Sequence, residues 1–194
     1  MAKIYPVQDL IESVVDPGTF LPLRYVQRLR EGRHRRYDVV AFDHDREVAK
    51  WSSPLENRQE EIDIDGDTRD VLSLAYFMRS KGMQPGQEER FRVLVDDKLY
   101  DLHVGGRETV AVRVRGHGRV RCLEVEPKAR FGEIFVRRGR MKLWFSLDPR
   151  HVCTRMSARV PLASVRACLI SVEGPGDDVW TARDDEGDET GGRG

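Results

Sequence analysis

Short alternating segments joined by very short polar turns constrain this chain more than any other feature. From about residue 21 onward, apolar and polar residues alternate in runs such as LPLRYVQRLR, RYDVVAFD, RFRVLVD, ETVAVRVR and RVRCLEVE, as they do in strands with one buried face. Turn-forming sequences such as EGR, DDK, GG and GHG separate these runs. Links this short join antiparallel strands, because a parallel crossover needs about a dozen residues. The sequence therefore predicts a mainly β fold built as an antiparallel meander.

The stretch DVLSLAYFMRSKGM, residues 70–83, is the clearest helical segment. Asp70 is a good N-cap, and Gly82 suits the left-handed position after a helix. Apolar side chains cover most of its circumference: Val71, Leu74, Ala75 and Met78 form one stripe, which Leu72, Tyr76 and Phe77 widen. A helix of this kind is buried. We therefore expect an antiparallel curved sheet, a half-barrel or open barrel meander, with one buried helix near residues 70–80 on its concave side.

The first segment is ambiguous between helix and strand. In VQDLIESVVDPGT, residues 7–19, the apolar residues fall at helical spacing and a turn sequence ends the run. Alternate residues Tyr5, Val7, Asp9 and Ile11 also permit a strand.

Length and composition predict one domain followed by a tail. With 194 residues, the chain is long enough to bury a substantial core. Residues 52–69 are a polar connector with one short strand at 61–64, and apolar periodicity ends after Trp180. We predict a single antiparallel β domain over residues 1–180 and a disordered acidic and glycine-rich tail over residues 181–194.

The charge balance argues against a nucleic-acid partner. The chain has 33 basic and 33 acidic residues and a formal net charge of +0, which gives no long-range attraction for nucleic acid or anionic lipid. Arginine clusters such as Arg33, Arg35 and Arg36 could bind phosphate, but solvated strand faces are the simpler interpretation. No apolar run reaches membrane-spanning length, so we do not expect an integral membrane protein. The segment MAKIYPVQDL has no signal peptide in the chain as given.

The sequence contains no recognisable catalytic or metal-binding signature. Its three cysteines are widely spaced, and the acidic run DIDGDTRDVL fails the calcium-loop pattern in both registers. His151 and Cys153 would share a face on a strand and could serve as two metal ligands or as a thiolate beside its base, but no third ligand accompanies them. We therefore predict no catalytic residues, no metal and no cofactor, which favours a protein that is not an enzyme.

Three residues are candidates for ligand binding: Tyr76, Arg79 and Trp144. An arginine near the end of a buried helix must pair with an acid such as Asp70 or Asp148, reach solvent, or bind a polar ligand. The sequence leaves these possibilities open.

Several of these segments resemble the bacterial domain-of-unknown-function family 3108. The most specific element is D-x-L-S-x-x-Y-x-x-R, present here as Asp70, Leu72, Ser73, Tyr76 and Arg79. A second is the late strand LWFSLDPRH, which ends in Asp148 and is followed by Arg150. The likeness runs from about Ile4 to about Val172.

The resemblance implies an exported, periplasmic or cell-envelope protein with an antiparallel curved sheet around a helix, similar to lipoprotein-carrier half-barrels. It also implies that IYPVQDLIESVVDP is a strand, and we adopt that interpretation. Family members usually carry a signal peptide and one or two strands ahead of this point. Their absence from the chain as written would leave a sheet edge unpaired.

Together these observations predict a non-enzymatic cell-envelope protein that binds a lipid or other apolar or amphipathic ligand in its half-barrel, or a protein partner along a sheet edge. One alternative is a structural or interaction module with a filled core. A second is an enzyme that acts on cell-wall or lipid material.

Overall fold

A computed structural model describes residues 6–131, 134–135, 140–160 and 163–172. The predicted tail at 181–194 lies outside these ranges. The described residues divide into two compact units. Those within Met1–Phe77, Phe91–Leu102 and Arg130–Glu133 form unit 1, and those within Met78–Arg90, His103–Ala129 and Ile134–Gly194 form unit 2.

The first sheet is an antiparallel meander of five strands in the order β1-β2-β3-β4-β5. The strands are β1 (Leu10–Val15), β2 (Pro22–Glu31), β3 (His34–Asp43), β4 (Val48–Ser53) and β5 (Arg58–Asp63). The turns between β2 and β3 and between β4 and β5 use left-handed residues, Gly32 with φ 59° and Asn57 with φ 53°. The strand assignment of the ambiguous first segment is thus confirmed for residues 10–15, because β1 pairs with β2 rather than forming a helix.

The second sheet has seven strands. Its order is β12-β11-β10-β8-β7-β6, and β9 pairs with β8. The strands are β6 (Glu88–Val95), β7 (Lys98–Val114), β8 (Gly118–Phe131), β9 (Ile134–Phe135), β10 (Arg140–Ser146), β11 (Cys153–Val160) and β12 (Ala163–Cys168). The predicted fold class, mainly β with antiparallel sheets and one helix, is confirmed.

The helix, α1 (Val71–Lys81), forms where the sequence predicts it. Leu74 and Met78 are buried, with 5% and 7% of their surface exposed, but Val71 and Tyr76 are 42% and 53% exposed. The helix therefore buries one stripe rather than most of its circumference. Among the described residues, no helix combines the length and apolar character that crossing a membrane requires.

The apolar core of unit 1 lies on one face of the five-stranded sheet. Tyr25, Val40 and Trp51 stand opposite one another on β2, β3 and β4, and Phe42, Ala49, Ile64 and Leu94 complete the cluster. Burial raises the pKa of the Tyr25 hydroxyl to about 12, and the carboxylates of Asp70 and Asp96 add to the effect. A phenolate is poorly solvated in such a core.

We expect this tyrosine to make the fold sensitive to alkali. The pKa of Tyr25 is about 12 in the folded state and 10 in the unfolded state. The stability that the protonated tyrosine contributes is therefore fully present below pH 10 and is lost as the pH rises towards 12. The free energy of unfolding should fall by about 3 kcal/mol more in the wild type than in Tyr25→Phe over that interval. Urea melts of both proteins at a series of pH values measure the difference. Parallel pH profiles would contradict the assignment.

Candidate functional site

The helix N-terminus is fixed by a buried carboxylate. Asp70 Oδ1 accepts hydrogen bonds from the backbone N–H groups of Leu72 at 2.7 Å and Ser73 at 2.8 Å, which confirms the predicted N-cap. The Ser73 hydroxyl in turn accepts from the Asp70 N–H at 3.0 Å. Ser13 on β1 donates its hydroxyl to Asp70 Oδ2 at 2.6 Å. Burial nevertheless raises the pKa of Asp70, while these hydrogen bonds oppose the rise.

The helix C-terminus is held by the loop that follows β10. Gly82 adopts the left-handed conformation expected of it, with φ 69°. The His151 ring packs against this glycine so closely that a Cβ at position 82 would lie 2.8 Å from His151 Cε1. His151 Nδ1 lies 2.9 Å from the carbonyl oxygen of Arg79. Since a carbonyl oxygen only accepts hydrogen bonds, Nδ1 carries the proton. This hydrogen bond satisfies one of the carbonyl groups that have no partner within the last turn of a helix.

The two sequence motifs therefore stabilise the two ends of the helix. Arg79 donates from Nη2 to the carbonyl of Arg150 at 3.4 Å, and the Asp148 carboxylate accepts from the Arg150 N–H at 3.0 Å. The motif residue Tyr76 differs, because it is 53% exposed on the helix surface. The proposed ligand contacts of Tyr76 and Arg79 stay predictions.

Trp144 lies on β10, where it faces the opposite side of the sheet from its neighbour Phe145. It packs, half-buried, against a cluster of Val112, Val114, Cys122 and Val152 in unit 2. The guanidinium of Arg155 lies 5.6 Å from the centre of its ring. Its assignment as a ligand-binding residue also stays a prediction.

His151 and Cys153 do not form the strand pair that their spacing indicates. His151 precedes β11 in a turn with φ 43°, and Cys153 is the first residue of the strand. The Cys153 thiol donates to the carbonyl of Arg155 at 3.5 Å. Burial raises the pKa of the Cys122 and Cys153 thiols, which disfavours the thiolate. Within the described ranges, no group of three or more His, Cys, Asp or Glu residues could hold a metal ion.

An exposed apolar surface lies at the β12 end of the second sheet. Strand pairing places five side chains on one face, and we call them the methionine strip: Met141, Leu143, Met156, Ala158 and Val165. Met141 and Met156 are each 40% exposed and Val165 is 59% exposed. Pairing with β8 puts Leu143 beside Val125 on this face. The strip therefore continues the buried surface towards the sheet edge.

The buried part of the same face is closely packed. Met78, Gly82 and Met83 line a space with Leu123, Val125, Phe145, Ser146, Leu147 and His151, and its volume is about 10 Å³. That volume is at the lower limit for a single water molecule. This space is too small for a ligand, so the exposed methionine strip is the candidate binding surface on this face.

The methionine strip is a feature that the sequence analysis did not single out. Its members come from β10, β11 and β12, and only the strand register reveals that they share a face. The alternation of Met141 with Leu143, and of Met156 with Ala158, was the available signal.

The chain is similar to a known protein family. A family model described as "Protein of unknown function (DUF3108)" matches residues 1–169. This match confirms the resemblance carried by the two motifs. No curated protein and no solved structure matches the chain significantly.

Proposed function

The chain belongs to the DUF3108 family, and we propose that it is a non-enzymatic binding protein of the bacterial cell envelope. Its ligand is an apolar or amphipathic molecule held against the methionine strip. The envelope location rests on the resemblance of the chain to exported proteins. Fractionation of the source bacterium tests this part, and recovery only with cytoplasmic markers would contradict it.

The observation that carries the proposal is the exposure of the methionine strip. Monomeric proteins seldom leave contiguous apolar surface in water without a function for it. Met141, Met156 and Val165 are partly exposed on three adjacent strands. Methionine side chains are flexible and polarisable, so a surface that contains two of them adapts to the irregular shape of an acyl chain or a similar ligand.

We expect a charge on this strip to abolish ligand binding. Val165→Glu places a carboxylate where the apolar part of the ligand would lie, and burial of that charge is strongly unfavourable. The affinity for a solvatochromic fatty-acid probe should fall about tenfold or more. Fluorescence titration of the full chain measures it, and mass spectrometry of solvent extracts identifies what the purified protein carries.

Ser164→Glu is the matched control. Ser164 and Val165 are adjacent, exposed residues of β12, and neighbours on a strand face opposite sides of the sheet. Ser164→Glu should keep the wild-type affinity. Equal loss in both variants, or no probe binding by the wild type, would contradict the proposal.

A partner chain along β12 is a second candidate. β12 ends the strand order of its sheet, and all the residues from Ser164 to Cys168 are exposed. Such an edge can extend its sheet by pairing with a strand of another protein. Purified protein that carries no lipid but elutes with a second polypeptide would favour this function over ligand binding.

A further inference from the structure

The hairpin of β7 and β8 carries four arginines on one exposed face. Arg113, Arg115, Arg119 and Arg121, which we call the arginine face, are all exposed. They alternate with Val112, Val114, Val120 and Cys122, which belong to or pack against an apolar cluster. Alternation along both strands therefore places the arginines on the side away from that cluster.

The charge of this face is not neutralised within the described part of the chain. None of the four side chains has an ion pair there, whereas Arg107 on the same strand pairs with Glu126 at 3.0 Å. Like charges on neighbouring strands repel one another. The net charge of the whole chain is +0, so this face is a local concentration of positive charge rather than a sign of overall basicity.

Apolar groups and a hollow border the arginine face. Leu147, 38% exposed, donates its N–H to the carbonyl of Arg121 at 3.0 Å and so lies next to the face. A hollow of about 480 Å³ opens at the hairpin turn, and Ile170, 72% exposed, follows one of its lining residues. The hollow is lined by Arg113, Val114, Arg115, Gly116, Gly118, Cys168 and Leu169.

From this combination we propose that the arginine face docks on a membrane surface through the phosphate groups of anionic lipids. The planar guanidinium groups donate paired hydrogen bonds to phosphate oxygens. Each arginine near an anionic bilayer adds to the attraction, and the apolar Leu147 side chain enters the headgroup region beside them. The arginine face shares no residue with the methionine strip, so it stands or fails independently of the proposed ligand.

Sedimentation with lipid vesicles tests this docking. We expect the full chain to bind phosphatidylcholine vesicles that contain about one quarter phosphatidylglycerol at least about tenfold more strongly than pure phosphatidylcholine. Raising the salt from about 0.1 M to about 0.5 M should weaken the binding, because charge attraction is screened. Equal binding to both kinds of vesicle, or stronger binding to a DNA oligonucleotide than to the anionic vesicles, would overturn the proposal.

A pair of double variants with the same charge change locates the site. Arg113→Glu with Arg119→Glu should lose about tenfold or more of the affinity for anionic vesicles. Arg159→Glu with Arg166→Glu changes two exposed arginines of β11 and β12 and should keep most of it. Equal losses in the two double variants would overturn the proposal. Arg113→Gln with Arg119→Gln, a milder change, serves if the first double variant does not fold.

Discussion

Leu74→Ala is expected to lower the free energy of unfolding by about 2 to 5 kcal/mol, the usual range for truncating a buried leucine. Leu74 is 5% exposed on the buried stripe of α1, so its truncation leaves a cavity that the structure closes only in part. A loss of this size is a large fraction of the stability of a typical domain. Urea melts followed by circular dichroism measure it.

Val71→Ala is the control on the same helix. Val71 is 42% exposed, and alanine is the better helix former, so this variant should change stability by less than about 0.5 kcal/mol. A near-neutral Leu74→Ala would mean that α1 is a mobile lid rather than part of the core. In that case ligand-binding measurements on variants of Tyr76 and Arg79 would be the more informative experiment.

Gly106→Ala should lower the free energy of unfolding at least as much, by about 3 kcal/mol or more. The added methyl group would push the backbone at position 106 away from the backbone at Gln84. A Cβ at this position would lie less than 3.0 Å from the carbonyl oxygen of Gln84. Two backbone hydrogen bonds hold the segments together, from Gly106 N to Gln87 O at 2.8 Å and from Gly86 N to Gly106 O at 2.9 Å. Thermal melting of the variant checks the prediction.

The preceding glycine provides the comparison. A Cβ at Gly105 would come no closer than 3.5 Å to the Arg107 guanidinium, the end of a flexible side chain. The free energy of unfolding of Gly105→Ala should therefore lie within about 1 kcal/mol of the wild-type value. Equal destabilisation by the two substitutions would show that loss of glycine flexibility in β7, rather than the Gln84 contact, determines the effect.

The local structure of this protein follows closely from its sequence. Alternation and turn residues predict the strands, and Asp70 and Gly82 mark the ends of the helix that the structure contains. These features depend on neighbouring residues alone. The same rules fail at strand ends: alternation groups Leu23 with Tyr25, yet Leu23 is 50% exposed. It lies next to Pro22, where the register of β1 against β2 shifts.

The candidate sites depend on contacts between distant residues, and local patterns do not reveal these. Spacing indicates that His151 and Cys153 form a pair, whereas His151 bonds to Arg79 instead. The methionine strip requires the register of three strands, and a shift of one residue would turn each of its side chains to the other face. The buried Ser13–Asp70 hydrogen bond likewise links residues 57 apart.

The His151 contact has a consequence for the newborn chain on the ribosome. His151 lies 72 residues after Arg79, so at about 5 to 20 residues per second the ribosome needs roughly 4 to 14 s to supply it. Throughout that interval the last turn of α1 lacks its histidine partner. Leu123, Val125 and Phe145, which line a space with Met78, are translated 45 to 67 residues after Met78. The nascent helix then presents an apolar stripe of the kind that chaperones bind. The time needed to translate residues 80–151 therefore sets how long the last turn of α1 remains without its His151 contact.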